Sequence, residues 1–427
     1  MRHTSRLSRW FTNRSFDLYR RFSRERRNAS YDVAILGGGA MGSSTAYFLA
    51  NRQPDLRICV IERDLTYSKC STALSVGSIR QQFSTAENIQ LSQFGFQFLS
   101  NIGEYLGVEG KDLPDINLKK GGYLILSGEK GLTTLQDNYT LQRDLGCAVS
   151  LLTQDELKTR FPWMNTDGIG MASLGTDKEG WFDPWALLDA FKKKSISLGV
   201  DYIHGEVTDI QLGKGNLVSN IEIVPNHLLQ SRQNITCGVA VNTSGCWSGA
   251  TASMLGIHLP IEPRKRFVFV IDCPDLVNED VLLCDKSGFY FRPEGKHFVT
   301  GRCPPSVEEE PSIDNLDVDY DFFYEALWPD LAYRVPAFEC LKVKSAWAGY
   351  YDYNTLDCNA VIGRHPEIKN LIFASGFSGH GIQHSPGTGR AVSELILDGN
   401  FTSINLSRLG YERVLNKDPL KENNIIG

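Results

Sequence analysis

Three glycines and one acid between positions 37 and 62 stand at a spacing that could bind a phosphate-linked ligand. Gly37, Gly39 and Gly42 follow an apolar run at 32–36, and Glu62 closes the next apolar run twenty residues after Gly42. Gly37 permits a tight turn, Gly39 leaves room for a pyrophosphate against the backbone, and Gly42 lets a helix pack closely on a strand. The Glu62 carboxylate can accept hydrogen bonds from a ribose and repels a 2′-phosphate. The pattern therefore predicts a dinucleotide site that disfavours NADP.

A strand, a helix and a second strand must position these residues. The β-branched run 32–36 predicts the first strand, the apolar stretch 46–49 the helix, and 58–61 the second strand. The helix N-terminus would present N–H groups and a partial positive charge to the pyrophosphate. The alternative is an ordinary βαβ unit with a glycine-rich turn, which is disfavoured because all the elements occur in the expected order.

The size and charge of the chain limit the classes of function. Its 427 residues suffice for two domains, and its net charge of −6, with no long basic tract in the body, argues against a nucleic-acid partner. No apolar stretch is long enough and free enough of charges and glycines to predict a membrane span. The ten cysteines form no CxxC pair and the eight histidines show no ligand spacing, so no metal site is predicted.

The first thirty residues differ in charge from the rest of the chain. They hold nine arginines and only two acids, Asp17 and Glu25, and they carry aromatic residues without an uninterrupted apolar core. Such a composition is typical of a mitochondrial transit peptide rather than a secretory signal. The alternative is a solvated basic arm that binds phosphates or lipid headgroups. We predict a transit peptide at 1–30.

The remainder of the chain reads as mixed α and β structure. Apolar spacing predicts a helix over 85–105, and Asp183 followed by proline predicts the start of another helix. Short apolar runs between 259 and 301 predict an antiparallel sheet and hence a second domain. The acidic stretch 308–310 is predicted to be a solvated loop, and a C-terminal helix is predicted over 387–397.

A second glycine-rich turn, 375–381, follows a buried strand near the C-terminus. A simple NAD dehydrogenase has no need of it. A helix that begins there could direct its partial positive charge at a flavin, whose reduced form is negative on one edge, and stabilise that charge by about 0.3–2 kcal/mol. The alternative is an ordinary C-terminal βα unit. Two glycine turns together favour FAD over a nicotinamide cofactor.

With these motifs the chain resembles a known superfamily. The fingerprint, Asn242–Gly245 and Gly376–Gly381 are similar to the turns of the D-amino-acid oxidase, sarcosine oxidase and dimethylglycine dehydrogenase superfamily, over about residue 31 to the C-terminal helix. The longer strings SVGSIRQQFS, GWFDPW, IEPRKR and SAWAGYYDYNT resemble a mitochondrial member of it. That resemblance implies a role at the matrix side of the inner membrane, in the assembly of respiratory complex I.

The resemblance implies an α/β fold (α+β overall) with two domains. One is a Rossmann-type FAD-binding domain, and the other is a mostly antiparallel β substrate domain, with the flavin ring between them. The implied boundaries are 31–112, 178–253 and 350–415 for the FAD-binding domain, 113–177 and 254–349 for the substrate domain, and 416–427 for a C-terminal tail.

The resemblance also implies the residues that bind FAD. They are Gly37, Gly39, Ala40, Met41, Gly42, Glu62, Arg63, Ser71, Thr72, Val207, Gly245, Gly376, Gly379, His380, Gly381 and Gln383. Leu74 stands where dehydrogenases of the superfamily attach flavin through a histidine, and Tyr350 stands at or near the place of the cysteine that attaches it in monomeric sarcosine oxidase. We therefore expect FAD to be bound non-covalently.

Four residues are candidates for catalysis: Arg80, Gln383, His380 and Tyr350. Arg80 falls where the superfamily grips a substrate carboxylate, although an Arg on the surface or facing a phosphate is the alternative. Gln383 replaces a lysine beside the flavin, and a second lysine, linked to oxygen activation, is absent near Val299. A dehydrogenase is therefore expected rather than an oxidase. His380 could serve as an acid–base group or position the flavin loop.

Two functions remain open at this point. The protein could oxidise a small amine or acid and pass electrons to a carrier, or it could be an assembly factor whose FAD is mainly structural. The expected partners are accordingly a small amine or acid substrate and complex I subunits or assembly intermediates. Peripheral attachment to the membrane is compatible with either function.

Overall fold

The structure is a computed structural model that describes residues 28–225, 232–274, 281–304 and 306–423. The predicted transit peptide lies outside the described residues, except for positions 28–30. Those three residues open the first strand, where Asn28 pairs with Asn234, so the prediction placed the boundary of the leader inside a strand.

The described residues form strands and helices with the following bounds. The strands are β1 Asn28–Leu36, β2 Ile58–Glu62, β3 Ser78–Ile79, β4 Gly122–Ser127, β5 Val149–Thr153, β6 Met171–Gly175, β7 Gly180–Trp181, β8 Asp201–Leu212, β9 Val218–Pro225, β10 Gln233–Asn242, β11 Ile261–Asp272, β12 Val281–Cys284, β13 Phe289–Glu294, β14 His297–Arg302, β15 Lys342–Asn354, β16 Val361–Arg364 and β17 Leu371–Ser375. The helices are α1 Ala40–Arg52, α2 Ala86–Ser100, α3 Ile102–Leu106, α4 Leu132–Asp144, α5 Gln154–Arg160, α6 Pro184–Ser197, α7 Ser248–Ser253, α8 Tyr320–Phe322, α9 Trp328–Arg334, α10 Gly381–Leu397 and α11 Glu412–Asn416.

The first sheet has β1 at its centre. Parallel strands β2 and β10 flank β1, and β8 and β17 extend the sheet in parallel beyond them. The antiparallel strand β16 closes one edge, and β9 pairs antiparallel with both β8 and β10. Strands β2 and β17 and the carboxyl-terminal parts of β1 and β10, 33–36 and 240–242, are largely buried, as a parallel sheet covered on both faces requires. This is the Rossmann-type half of the predicted fold.

The second sheet is antiparallel apart from one pair. Its order within the described residues is β15-β11-β14-β13-β12-β4-β6-β5, and only β12 and β4 run parallel. Helices α5, α8 and α9 cover one face of it, and an apolar cluster that includes Phe269, Phe291 and Leu331 fills the space between. The predicted fold class, a Rossmann-type domain joined to a mostly antiparallel β domain, is confirmed. The long strand β15 begins in the predicted substrate segment and ends in the predicted FAD-binding segment.

Three local predictions need correction. The helix predicted over 85–105 is interrupted at Asn101, whose φ and ψ of −119° and 29° separate α2 from α3. The helix predicted to begin at 387 begins at Gly381. The stretch 308–310 is not wholly a solvated loop, because Glu310 pairs with Arg266 at 2.6 Å.

The end of the described chain returns to the first helices. Glu422 is buried, and its carboxylate accepts hydrogen bonds from the Ser84 backbone N–H at 2.7 Å and from the Asn88 side chain at 3.0 Å. Residues up to 423 are thus attached to the body of the protein. Among the described helices, none is both long enough and apolar enough to cross a membrane.

Candidate active site

A cavity of about 380 Å³ extends from the glycine turn after β1 to the turn before α10 and to one wall of the antiparallel sheet. Thirteen residues of the sequence prediction line it: Gly37, Gly39, Ala40, Met41, Glu62, Arg63, Ser71, Thr72, Val207, Gly245, Tyr350, Gly379 and Gly381. Two turns that are more than three hundred residues apart in sequence therefore face the same space.

The first glycine turn has little room for side chains. Gly37 has a φ of +103°, and a Cβ there would lie 2.6 Å from the Thr243 carbonyl oxygen. Gly42 does not line the cavity, and a Cβ on it would lie 1.9 Å from the Gly37 carbonyl oxygen. At Gly39 a Cβ would meet only side-chain atoms, the nearest being Thr72 Oγ1 at 3.3 Å. Gly37 and Gly42 thus allow close packing of backbone, whereas Gly39 leaves an open cradle beside the N-terminus of α1.

The acid at the end of β2 is fixed by the backbone. Glu62 Oε2 accepts a hydrogen bond from the Gly38 N–H at 2.8 Å, and Oε1 accepts one from the Asp64 N–H at 2.9 Å. Beside it, the Arg63 guanidinium lies 3.5 Å from the centre of the Trp247 ring. This end of the cavity combines a carboxylate that can accept further hydrogen bonds with a cation held on an aromatic face.

The segment after β2 supports the start of α1. Thr72 Oγ1 accepts a hydrogen bond from the Ala40 N–H at 3.1 Å, which links the polar segment to the first turn of the helix. The first N–H groups of a helix have no partner within the helix and carry its positive end. The α1 N-terminus at the cavity is therefore suited to an anionic group.

The turn before α10 is held by a carboxylate that the sequence prediction did not include. Asp352 Oδ2 accepts hydrogen bonds from the N–H groups of Gly376, at 2.7 Å, and Phe377, at 3.0 Å. Burial of the Asp352 carboxyl group raises its pKa to about 6. Asp352, Phe377 and Gly379 line the cavity, whereas Gly376 does not, because it faces the Ile261 side chain. The predicted role of Gly376 at the cofactor stays a prediction.

Three predicted catalytic residues lie behind the cavity wall. Gln383 Oε1 accepts hydrogen bonds from the Arg80 N–H at 2.8 Å and from Ser92 Oγ at 2.9 Å, so the amide oxygen is directed at α2. Arg80 is buried, with its guanidinium 4.1 Å from the centre of the Phe83 ring. His380 packs 5.3 Å from the same ring, and burial, with the nearby Arg80 charge, lowers the pKa of His380 to about 3. Gln383, Arg80 and His380 do not line the cavity, and their predicted roles at the flavin or substrate stay predictions.

The wall formed by the antiparallel sheet carries polar residues that sequence reasoning missed. Arg266 on β11 and Arg302 on β14 line the cavity together with Tyr290 and Tyr351. The Arg266 guanidinium lies 4.7 Å from the centre of the Tyr351 ring. Burial raises the pKa of both phenols, which therefore stay neutral hydrogen-bonding groups at neutral pH. The charged stretch 262–266, directly before the apolar run of β11, was the available signal for Arg266.

Tyr350 also lines the cavity, as expected. Its hydroxyl donates a hydrogen bond to the Ile313 carbonyl oxygen at 2.7 Å, and its ring packs against the edge of Trp247 with centroids 5.9 Å apart. The predicted catalytic role of Tyr350 stays a prediction, since its hydroxyl is engaged with a loop.

Residues 32–395 match the family model described as FAD dependent oxidoreductase, abbreviated DAO. The chain belongs to this family. FAD is accordingly its cofactor, and the cavity fits it: the Gly39 cradle and the α1 N-terminus suit a pyrophosphate, Glu62 suits a ribose, and the second glycine turn closes the far end.

Individual relatives agree with this assignment. The chain is 49% identical over 424 residues to FAD-dependent oxidoreductase domain-containing protein 1 of Xenopus laevis, covering 92% of this chain and 85% of the relative. Among solved structures it is similar to L-proline dehydrogenase from P. horikoshii, with a TM-score of 0.77, 25% identity, and coverage of 91% and 99%. It shares the fold of glycine oxidase from Geobacillus kaustophilus, with a TM-score of 0.74, 22% identity, and coverage of 90% and 98%.

Proposed function

We propose that the protein is a flavin dehydrogenase that oxidises the C–N bond of a small amine or amino acid and passes the electrons to a carrier. The observation that carries the proposal is the single cavity shared by both glycine turns and by the polar wall of the antiparallel sheet. A substrate bound at that wall would lie in the same enclosed space as the cofactor. Relatives named L-proline dehydrogenase and glycine oxidase support the choice of an amine.

Bound FAD would supply the redox chemistry by accepting two electrons from the carbon–nitrogen bond. The residues of the chain have other tasks. The Gly39 cradle and Glu62 would hold the nucleotide, and Asp352 fixes the backbone of the second glycine turn. Arg266, Tyr290 and Tyr351 would orient the substrate by hydrogen bonds and charge. His380 lies behind the wall, and burial lowers the pKa of its imidazole to about 3, so the ring is neutral at neutral pH.

Anaerobic titration of the holoprotein tests this function. Small amines, amino acids and hydroxy acids are added in turn while the flavin absorbance is followed. We expect bleaching by at least one amine or amino acid, and slow recovery of colour when air is admitted. Bleaching by hydroxy acids alone, or by no compound of the three classes, would overturn the proposal.

We further propose that the protein acts in mitochondria, at the matrix side of the inner membrane, and supports the assembly of complex I. The arginine-rich residues 1–30 favour import, and the resemblance in several long strings favours the assembly role. Its partners would be complex I subunits or assembly intermediates, with peripheral attachment to the membrane.

A complementation experiment in cells lacking the protein tests the assembly role and its dependence on FAD. Wild-type protein should restore complex I on native gels. Gly39→Val, which fills the cradle, should not restore it if FAD is required for the assembly role. Restoration by a chain that stays in the cytosol after removal of residues 1–30 would refute the mitochondrial proposal.

A further inference from the structure

The Glu310 carboxylate forms an ion pair with Arg266, an arginine of the cavity wall. Both Nη groups of Arg266 donate to Glu310, at 2.6 and 3.0 Å, in a two-point ion pair. The pair is largely shielded from water, since the side chains are 15% and 20% exposed. Arg266 lines the cavity whereas Glu310 does not, so the guanidinium lies between the cavity and this carboxylate. A two-point carboxylate contact is also what a substrate acid would make with arginine.

Glu310 begins a segment, 310–319, that we call the strap. Besides Glu310, two contacts tie it to the strands beside the cavity. The Tyr350 hydroxyl donates to the Ile313 carbonyl oxygen at 2.7 Å, and Lys265 Nζ donates to Asn315 Oδ1 at 3.2 Å. Leu316 and Val318 pack on the apolar cluster of the second sheet.

Arg264 Nε also lies 3.8 Å from Glu310 Oε1, so the strap is held mainly by Glu310 and by side-chain contacts. Within the described part of the chain, no hydrogen bond between backbone groups joins 310–318 to either sheet. Much of it is exposed, and Ile313 is 44% exposed. Segments held by few side-chain contacts have low local stability, so the loss of a strong contact lowers the free energy needed to open them.

Resting on the proposed function, we propose that Glu310 is a stand-in for the carboxylate of an anionic substrate. A substrate carboxylate that enters the cavity replaces Glu310 as the ion-pair partner of Arg266, and the strap detaches. The substrate class is then amines that carry an acid group, and their charge is coupled to the opening of the strap. Arg266 is the residue that selects for that charge.

The Nε group of Arg266 adds to this argument. It is buried and has no hydrogen-bond partner among the described residues. Nε is therefore a donor of Arg266 that Glu310 does not occupy.

The probe for the experiment is anthranilate, an aromatic carboxylate, titrated into the oxidised holoprotein. Binding is read from the change in flavin absorbance, and the strap is followed by hydrogen exchange of the peptides that cover 310–319. We expect binding, with faster exchange in the strap when anthranilate is present. Because no turnover is involved, this result does not depend on the outcome of the anaerobic titration with amines.

The variant Glu310→Gln removes the internal competitor while keeping the size of the side chain. It should bind anthranilate roughly tenfold more tightly, a ratio that corresponds to about 1.4 kcal/mol. Its strap should exchange rapidly even without the probe. Glu309→Gln is the matched control, because it removes the adjacent charge, and Glu309 forms no ion pair among the described residues, its carboxylate accepting a hydrogen bond from Ser306 Oγ at 3.2 Å. Its affinity and exchange should equal those of the wild type.

Arg266→Gln should lose anthranilate binding while retaining flavin colour, which shows that the variant folds. The proposal is overturned if anthranilate fails to bind the yellow wild-type protein. It is also overturned if anthranilate binds but leaves exchange in the strap unchanged or slower. If amines bleach the flavin in a protein that ignores anthranilate, the proposed function stands and only this inference fails.

Discussion

Alanine at Gly39 and alanine at Gly42 should impair the protein for different reasons. A Cβ at Gly42 would lie 1.9 Å from the Gly37 carbonyl oxygen and 2.8 Å from Thr243 Oγ1, so backbone would have to move. A Cβ at Gly39 would meet Thr72 Oγ1 at 3.3 Å and Cys70 Sγ at 3.4 Å, which a small adjustment relieves. The first change affects the fold, and the second affects the cofactor.

The magnitudes follow from these contacts. Overpacking against backbone costs about 3 kcal/mol, and the better helix propensity of alanine returns only about 1 kcal/mol. Gly42→Ala should therefore lose about 2 kcal/mol of unfolding free energy at any FAD concentration. Gly39→Ala should weaken the hydrogen bonds of backbone N–H groups to the pyrophosphate, at about 1.5–3 kcal/mol. FAD binding would then be weaker by roughly 10- to 150-fold.

Thermal unfolding measured over a series of FAD concentrations distinguishes the two variants. A ligand stabilises the native state in proportion to the logarithm of its concentration over Kd. The melting temperature of Gly39→Ala should therefore equal that of the wild type without FAD, and fall below it by a growing and finally constant amount as the FAD concentration rises past the wild-type Kd. Gly42→Ala should melt lower than the wild type even without FAD. If Gly39→Ala showed its full deficit without FAD, or if Gly42→Ala matched the wild type there, the roles assigned to these glycines would be wrong.

Three further changes have defined outcomes. Asp357→Asn should lower the unfolding free energy, measured in denaturant titrations, by about 3–5 kcal/mol, because the buried Arg413 loses the carboxylate that lies 2.7 Å from its guanidinium. The control Asp55→Asn, at an exposed acid, should cost almost nothing. His380→Asn should leave the pH profile of flavin reduction unchanged between about pH 5 and 8, because burial lowers the pKa of His380 to about 3. A shifted profile would show that the His380 imidazole is not neutral in this range. Burial raises the pKa of Asp352 to about 6, so between about pH 4 and 6 the native state binds a proton that the unfolded state has lost, and the unfolding free energy falls as the pH rises. Asp352→Asn should remove that fall, and an unchanged slope would refute the assignment.

The first glycine turn and the two types of sheet could be predicted because their signals are local. The order of strand, Gly37, helix and Glu62 lies within about thirty residues. Alternating apolar runs with short turns sufficed to separate the antiparallel sheet from the parallel one. The helix beginning at Pro184 was also predictable, and Asp183 caps it by accepting a hydrogen bond from the Ala186 N–H at 3.0 Å.

The start of α10 was missed because its glycines suggest a turn. Gly387 and Gly389 lie inside the helix, where a Cβ would come within 2.7 Å of Leu91 and 2.2 Å of Ser44 Oγ, so they permit packing on α2 and α1. Pro386 also lies within the helix. It has no N–H, and the Ile382 carbonyl oxygen instead accepts the Ser385 hydroxyl at 2.9 Å. Tertiary packing here outweighed local propensity.

The buried polar residues could not be predicted from spacing. Gln383 and Arg80 are 303 positions apart, and only the packing of α10 on the first sheet brings them together. The same holds for Arg266 and Glu310, which are 44 positions apart. Sequence reasoning placed charge near the cofactor but could not tell which side chains face the cavity and which face away.

The position of β17 has a consequence for biosynthesis. This strand, Leu371–Ser375, pairs with the carboxyl-terminal half of β10, one strand away from the central β1. The groove for the flavin is therefore incomplete until the ribosome has passed Ser375, and the nascent chain cannot capture its cofactor earlier. A premature stop codon upstream of Leu371 leaves an apolar strand edge unpaired, and such an edge is a template for aggregation.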